Sequence, residues 1–280
     1  MILVDYSQVF ISNIMQQPGV HVTGEVEEDL IRHMVLNTLR SYRVKYGEDY
    51  GELVICCDSR NYWRRDIFPQ YKAHRKSGRS SSHLNWDSIF TALKMVKDEL
   101  IGNFPYRVME VETAEADDVI AVLCGLEQEK TLIISGDKDF AQLHKYPSVE
   151  QWNPLQKKFV KVEDPLMYKK EHIMRGDKGD GVPNFLSPDN TFTDGLRQKP
   201  LSGKKVANWS KLSPEIFCDQ QMLTGYNRNQ ILVDLDCIPD RIRNKVITQY
   251  EEYVVLDRSK LFNYFVKNRL KNLMDKIQEF

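Results

Sequence analysis

The sequence predicts an α/β fold with a mainly parallel sheet flanked by helices, followed by a smaller helical part. Three observations carry this reading. Short apolar runs alternate with helix-spaced apolar positions through the first two-thirds of the chain. Most of those runs end in acidic residues, as in Ile2-Leu3-Val4-Asp5, Leu53-Val54-Ile55-Cys56-Cys57-Asp58 and Leu132-Ile133-Ile134-Ser135-Gly136-Asp137-Lys138-Asp139. After Asp164 the alternation gives way to helices joined by long polar connections. Strands alternating with helices imply right-handed crossovers between parallel neighbours.

Met1–Val4 reads as a buried strand. Helical spacing follows over Glu25–Lys45, at Leu30, Ile31, Met34, Val35 and Leu39. Leu53–Cys57 is a second strand, and Trp86–Leu100 a second long helix with Ile89, Phe90, Leu93, Met95 and Val96 on its apolar side. Between them, Arg75–Ser82 has the composition of a mobile linker. Tyr106–Val111 is a third strand, after which Thr113 is placed to cap a helix running through Asp117 and Asp118. Leu132–Ser135 is a fourth strand, Phe140–His144 a short helix, and Ser148–Val162 a hairpin turning near Asn153-Pro154. Pro165–Met174 is helical, 177–202 is rich in Gly, Pro, Asn and Asp, and helices follow around Val206–Leu212, Arg241–Tyr250 and Tyr264–Ile277.

A chain of 280 residues can bury a sizeable core. Its 39 basic and 40 acidic residues nearly cancel, so any charge signal lies in their distribution. The five cysteines show no paired or Cys-x-x-Cys spacing, which predicts reduced thiols in a cytoplasmic protein. No basic-then-apolar leader or long uncharged apolar stretch is present, which argues against secretion and membrane spanning.

In an open α/β sheet the carboxyl ends of the strands share one edge, where ligands bind. Asp5, Asp58, Glu115, Asp117, Asp118, Asp137, Asp139, Asp177 and Asp180 therefore converge. Singly, such an acid is most often a helix cap or turn residue. Together they would repel one another unless cations hold them. Oxygen-only ligands suit Mg²⁺ or Mn²⁺, and pairs of such ions serve phosphoryl chemistry. The cluster reads as a two-cation phosphodiesterase. Zinc-finger spacing, a His-Glu-x-x-His pair, an EF-hand loop and a P-loop are all missing, and no histidine is assigned to catalysis.

Opposite the acids, Arg60–Arg79 interleaves basic residues with Tyr62, Trp63, Phe68 and Tyr71, with Asp66 as its sole acid. Cations meet phosphates and aromatic faces stack on bases, so this segment reads as a single-strand platform. Lys72 and Arg75, three apart, could present two charges to one phosphate.

Five segments, Tyr62-Trp63-Arg64-Arg65-Asp66, Glu115-Ala116-Asp117-Asp118, Asp137-Lys138-Asp139-Phe140, Gln142-Leu143-His144-Lys145-Tyr146-Pro147 and Tyr264-Phe265-Val266-Lys267, resemble the 5′-nuclease superfamily of flap endonucleases and 5′–3′ exonucleases. The resemblance implies a PIN-like nuclease core over 1–163, including an arch over about 60–85, and a helical duplex-DNA-binding part over 164–280. It implies divalent-metal-dependent 5′ to 3′ cleavage of RNA primers (RNase H activity), 5′ flaps or DNA ends, with two Mg²⁺ ions that Mn²⁺ can replace. Asp5, Asp58, Glu115 and Asp117 would line one cation site. Asp137, Asp139, Asp177 and Asp180 would surround the other, some through water. Asp118 would serve as a helix-start residue or act on a cation through water. Asp137 is the acid on which cleavage should hinge, and Lys72 and Arg75 match the arch positions that steer and polarise the phosphate. Arg64 and Arg65 belong to the basic track, Tyr71 is a stacking candidate, and Arg79, Lys204 and Lys205 would contact nucleic acid. Substrates would be DNA with 5′ flaps or ends and RNA–DNA hybrids. The implied partners are a single-strand-binding protein or sliding clamp, and the implied state is a monomer. One departure is evident: Asp180 is followed by Gly181, and 182–202 intervenes before Lys204-Lys205. The competing readings are a PIN-type ribonuclease acting on single-stranded RNA and a junction-binding protein with a decayed nuclease.

Overall fold

A computed structural model describes residues 1–17, 27–126 and 130–280. Strands β1 (Ile2–Asp5), β2 (Leu53–Cys57), β3 (Arg107–Glu110), β4 (Thr131–Ile134), β5 (Val149–Asn153) and β6 (Lys158–Phe159) form one sheet in the order β3-β2-β1-β4-β5-β6. The first five are parallel, and β6 returns antiparallel beside β5. The strand order reverses at β1, whose Ile2 lies opposite Leu53 on one side and Leu132 on the other. That reversal opens a crevice at the carboxyl ends of β1 and β4.

Alternate side chains along each strand face opposite sides of the sheet. Ile2 and Val4 join a core with helices Tyr6–Met15, Glu28–Tyr50 and Trp86–Asn103, closed by Leu261, Phe265 and Phe280. Leu3 faces a second core against helices Ala116–Leu126 and Asp240–Glu252. A third cluster joins Phe68 and Tyr71 to Ile173, Phe185, Val206 and Tyr226. Residues beyond 164 thus complete all three cores. No helix among the described residues is long and apolar enough to cross a membrane.

The structure adds and corrects several elements. Helix Tyr6–Met15, unforeseen, buries Tyr6, Val9, Phe10 and Ile14 on one face and is capped by Asp5, which accepts from the Gln8 backbone. Of the expected Glu25–Lys45 helix, Glu25 and Val26 lie outside the described residues, and the helix runs from Glu28 to Tyr50. The linker expected at Arg75–Ser82 is largely the helix His74–Ser80, with Arg79 stacked over Trp86 and Phe90. Thr113 does not cap the next helix. It sits at φ 64°, and the helix begins only at Ala116, its first N–H groups taken by acids described below. Helix Gln220–Val233, capped by Asp219, was also unforeseen. The helix expected over Tyr264–Ile277 is broken into Leu261–Lys267 and Lys271–Met274, with Arg269 in the left-handed region between them.

Candidate active site

Each acid reaches the crevice by a different local route. Asp5 ends β1 and is buried; its Oδ1 caps the following helix and its Oδ2 accepts from Ser135 Oγ at 2.9 Å. Asp58 follows β2 and accepts from the Ala116 backbone at 3.1 Å, which ties the β2 loop to the start of the next helix. Asp137 follows β4 and accepts from the Asp139 backbone at 2.9 Å. Asp177 and Asp180 lie in the turn after helix Pro165–Arg175, where Asp177 accepts from the Asp180 backbone.

The electrostatics connect these groups. Burial, reinforced by Asp58 and Asp137, pushes the Asp5 carboxyl up to about 7. Burial, with Asp137 and Asp5, pushes Asp117 well above the usual carboxylate range. Burial also raises Asp137, with Asp180 and Asp177 adding to the effect. Asp139 is raised by burial and by Asp137, Asp177 and Asp180. The structure therefore brings Asp5, Asp58, Asp117, Asp137, Asp139, Asp177 and Asp180 into one group in which Asp5, Asp117, Asp137 and Asp139 suffer burial and repulsion, the state that a divalent cation relieves. At Asp180 burial is outweighed by Lys72 and Arg75, which hold its carboxyl below the usual range.

Asp118 stands apart from that group. Its Oδ1 accepts from Arg64 Nη2 at 2.8 Å, and its Oδ2 accepts from Arg64 Nη1, Trp63 Nε1 and the Glu115 backbone at 3.0, 2.9 and 2.9 Å. Both oxygens are engaged and the residue is fully buried, so it is an anchor for the arch, not a free ligand.

Arg64 is likewise misplaced in the nucleic-acid track. It is 2% exposed, pairs with Asp118 and Glu115, and donates to the Leu232 carbonyl. Nor is Tyr71 a stacking platform: its ring is buried and its hydroxyl donates to Asp180 at 2.7 Å, with a Glu115 oxygen 3.0 Å away. In both cases a buried carboxylate claims the polar end, while the apolar part packs inward.

Lys72 lies directly across from the acids. Its ammonium contacts Glu115 at 2.5 Å and Asp180 at 3.6 Å, and its backbone donates to the Asp180 carbonyl at 2.7 Å. Burial alone would lower the amine's pKa, but Asp180 and Glu115 outweigh burial and hold it above the ordinary lysine value. The residue adopts φ 57°, a conformation costly for a side-chain-bearing residue and found where surrounding structure imposes it. Arg75 pairs with Asp180 at 2.6 Å and donates to the Gly179 carbonyl. Gly181 explains the sequence departure beside Asp180. At φ 75°, a Cβ there would stand 2.9 Å from His74 and 3.2 Å from the Gln70 carbonyl.

Beyond Lys72 and Arg75 opens a cleft of about 840 Å³ lined by Tyr62, Arg65, Lys76, Arg79, Trp86 and Phe90 among others. Trp86 and Phe90 carry no signal of this in the sequence, where they read as one face of a helix. Lys204 and Lys205 project from the exposed helix Gly203–Trp209. Sequence reasoning also missed His172. Its imidazole lies 3.7 Å from both Asp139 and Asp177, and burial holds its pKa below the usual histidine value. The i, i+4 spacing of Tyr168 and His172 was readable, but not which way that helix face points.

A parallel sheet whose carboxyl edge gathers these acids beneath a basic arch is the architecture of a 5′ nuclease. The chain belongs to the 5′–3′ exonuclease family: residues 10–175 match its N-terminal, resolvase-like domain, and residues 162–280 match the C-terminal domain of T4 RNase H. It is a nuclease, 36% identical to Ribonuclease H of Enterobacteria phage T4 over 297 residues, covering 99% of this chain and 95% of that protein. Flap endonuclease Xni of a Shewanella species is 28% identical over 134 residues, 44% of this chain and 48% of that one. The fold is also that of bacteriophage T5 flap endonuclease, solved in complex with DNA and metal ions. That structure has a TM-score of 0.62 and 16% identity, covering 90% of this chain and 99% of the T5 chain.

Proposed function

We propose that the protein hydrolyses phosphodiesters near 5′ ends, removing RNA primers and 5′ flaps in a reaction that depends on two divalent cations, Mg²⁺ or Mn²⁺. The observation that carries this reading is the convergence of carboxylates at one sheet edge, where burial and neighbouring acids raise Asp5, Asp117 and Asp139 above the usual carboxylate range. Asp139 Oδ1 is among them, buried with no hydrogen-bond partner. Such a donor set fits hard cations.

Asp5, Asp58 and Asp117 would hold one ion, with Glu115 joining them only as Lys72 releases its Oε1, since Arg64 holds its Oε2, and Asp137, Asp139, Asp177 and Asp180 would hold the other. Cations held there would supply an activated water and charge stabilisation for the oxygens of the phosphodiester. Lys72 and Arg75, now paired with Glu115 and Asp180, would turn to the scissile phosphate and add charge stabilisation as the transition state forms. Arg65 and Arg79 would track the backbone in the cleft, where Tyr62, Trp86 and Phe90 offer faces to unpaired bases. Lys204 and Lys205 would meet phosphates of the duplex. The division near Asp164 into catalytic core and duplex-gripping part belongs to this proposal, as does action in the cytoplasm.

The test is cleavage of a 5′-labelled flap and an RNA–DNA hybrid in Mg²⁺ against EDTA. Magnesium-dependent release of short 5′ fragments, lost in Asp137→Asn with DNA binding retained, is the expected result. Tight flap binding without cleavage in Mg²⁺ and in Mn²⁺ would overturn it in favour of a junction-binding protein.

A further inference from the structure

Around Asp139 the acid cluster acquires a nitrogen. His172 is 6% exposed, and its Nε2 has no hydrogen-bond partner. The atom points between Asp139 Oδ1 and Asp177 Oδ2, 3.7 Å from each. One ligand atom from each of the three residues lies within 4.8 Å of the other two. Asp139 Oδ1 is itself buried and unpartnered, as is the Tyr168 hydroxyl one helical turn before His172, whose ring lies 5.8 Å from the imidazole.

A buried imidazole nitrogen with nothing to bond is costly. Were it a protonated partner of the two carboxylates, a charge-assisted bond would close to roughly 2.7–2.9 Å. The observed gaps are wider. They approach the roughly 3.0–3.6 Å between neighbouring ligands around an ion with bonds of about 2.0–2.2 Å. Lys138 now supplies the counter-charge, its ammonium 3.1 Å from Asp177 Oδ2. Its side chain is mostly exposed.

We propose that Asp139, His172 and Asp177 form a mixed nitrogen–oxygen cation site, with His172 Nε2 as a direct ligand, that selects a first-row transition cation such as Mn²⁺ over Mg²⁺. Magnesium takes oxygen ligands and keeps much of its water, whereas imidazole suits transition cations, with Mn²⁺ the weakest binder of the series and Fe²⁺, Ni²⁺ and Zn²⁺ stronger. The proposal rests on the two-cation reading above and assigns one of its sites a chemistry that the acids alone do not predict.

Mn²⁺ titration followed by electron paramagnetic resonance, with pulsed detection of nitrogen coupling, tests it. The wild-type protein is expected to bind two Mn²⁺ ions, one with ¹⁴N modulation. His172→Gln loses the modulation and weakens that ion by roughly tenfold or more, while Mg²⁺ affinity moves by less than about twofold. Should His172→Gln not fold, His74→Gln serves in its place: it removes the imidazole beside Gly181, and it must keep the modulation. Two bound ions with no nitrogen coupling, or coupling that survives His172→Gln or vanishes in His74→Gln, refute the histidine ligand and leave the two-cation reading standing. Failure of the wild-type protein to bind a second ion removes both.

Discussion

Replacing Asp118 by Asn separates an anchor from a metal ligand. The carboxylate takes four hydrogen bonds, two from Arg64 and one each from Trp63 and the Glu115 backbone. Asparagine keeps the size but removes the charge, and it turns one acceptor atom into a donor facing other donors. Arg64 is then left with Glu115, which Lys72 also claims. Removing one member of a buried ion pair costs about 3–5 kcal/mol. For a chain of this length each kcal/mol moves the melting midpoint by roughly 2–4 °C, so Asp118→Asn should melt roughly 6–20 °C lower in EDTA. Thermal unfolding by circular dichroism gives the midpoint, and calorimetry on the folded variant gives the cation affinity, which should stay within about 1 kcal/mol of wild type. A midpoint close to wild type together with a clear loss of cation affinity would refute the anchor and return Asp118 to the metal ligands.

Four further outcomes follow from the same geometry. Asp117→Asn removes a charge that burial, Asp137 and Asp5 all disfavour, so it should melt a few degrees higher in EDTA at pH 8 yet fail to cleave; a lower midpoint would contradict the repulsion. With Asp5 raised to about 7 against roughly 3.9 unfolded, the metal-free fold gains stability from this proton that is complete below about pH 4 and lost as pH rises through about 7, some 4 kcal/mol in all. Denaturation in EDTA across that window should show the decline and saturating Mn²⁺ should abolish it; a flat or rising EDTA profile would count against it. Lys72→Ala should slow single-turnover cleavage by roughly a hundredfold or more with a smaller effect on binding, and an unchanged rate would remove Lys72 from the chemistry. Gly225→Ala would place a Cβ 2.0 Å from the Phe185 carbonyl oxygen, and it should cost roughly 1–3 kcal/mol or more in denaturant unfolding; a neutral result would mean that this close approach can relax.

The parallel strands were legible because those buried on both faces read as continuous apolar runs, and Ile2-Leu3-Val4 and Leu132-Ile133-Ile134 leave little alternative. Strand ends then placed the acids, since a carboxyl edge is shared whatever the intervening lengths. What the linear pattern could not supply was which polar group each acid would meet. Glu115-Ala116-Asp117-Asp118 offers three carboxylates within one turn. Only the packing of Trp63 and Arg64 beneath the arch sends Asp118 inward and leaves Asp117 facing the crevice. Arg64 and Arg65 are adjacent in a basic run, yet one is buried and the other lines the cleft. Composition cannot distinguish them. Helix Gln220–Val233 was obscured by its polar content, and Gly225 in mid-helix permits its close approach to the Phe185 carbonyl.

The central position of β1 has a bearing on how the chain is made. Ile2 pairs with Leu53 early, but its other neighbour, Leu132, emerges 130 residues later. At about 5–20 residues per second, the first strand waits roughly 7–26 s for its second partner. Until β4 arrives, Asp5 and Asp58 can remain hydrated and apart from Asp137 and Asp139. The repulsion between these strand-end acids therefore arises only when β4 makes its long-range pairing with β1, at a point when cations present in the surrounding solution can enter as the carboxylates close.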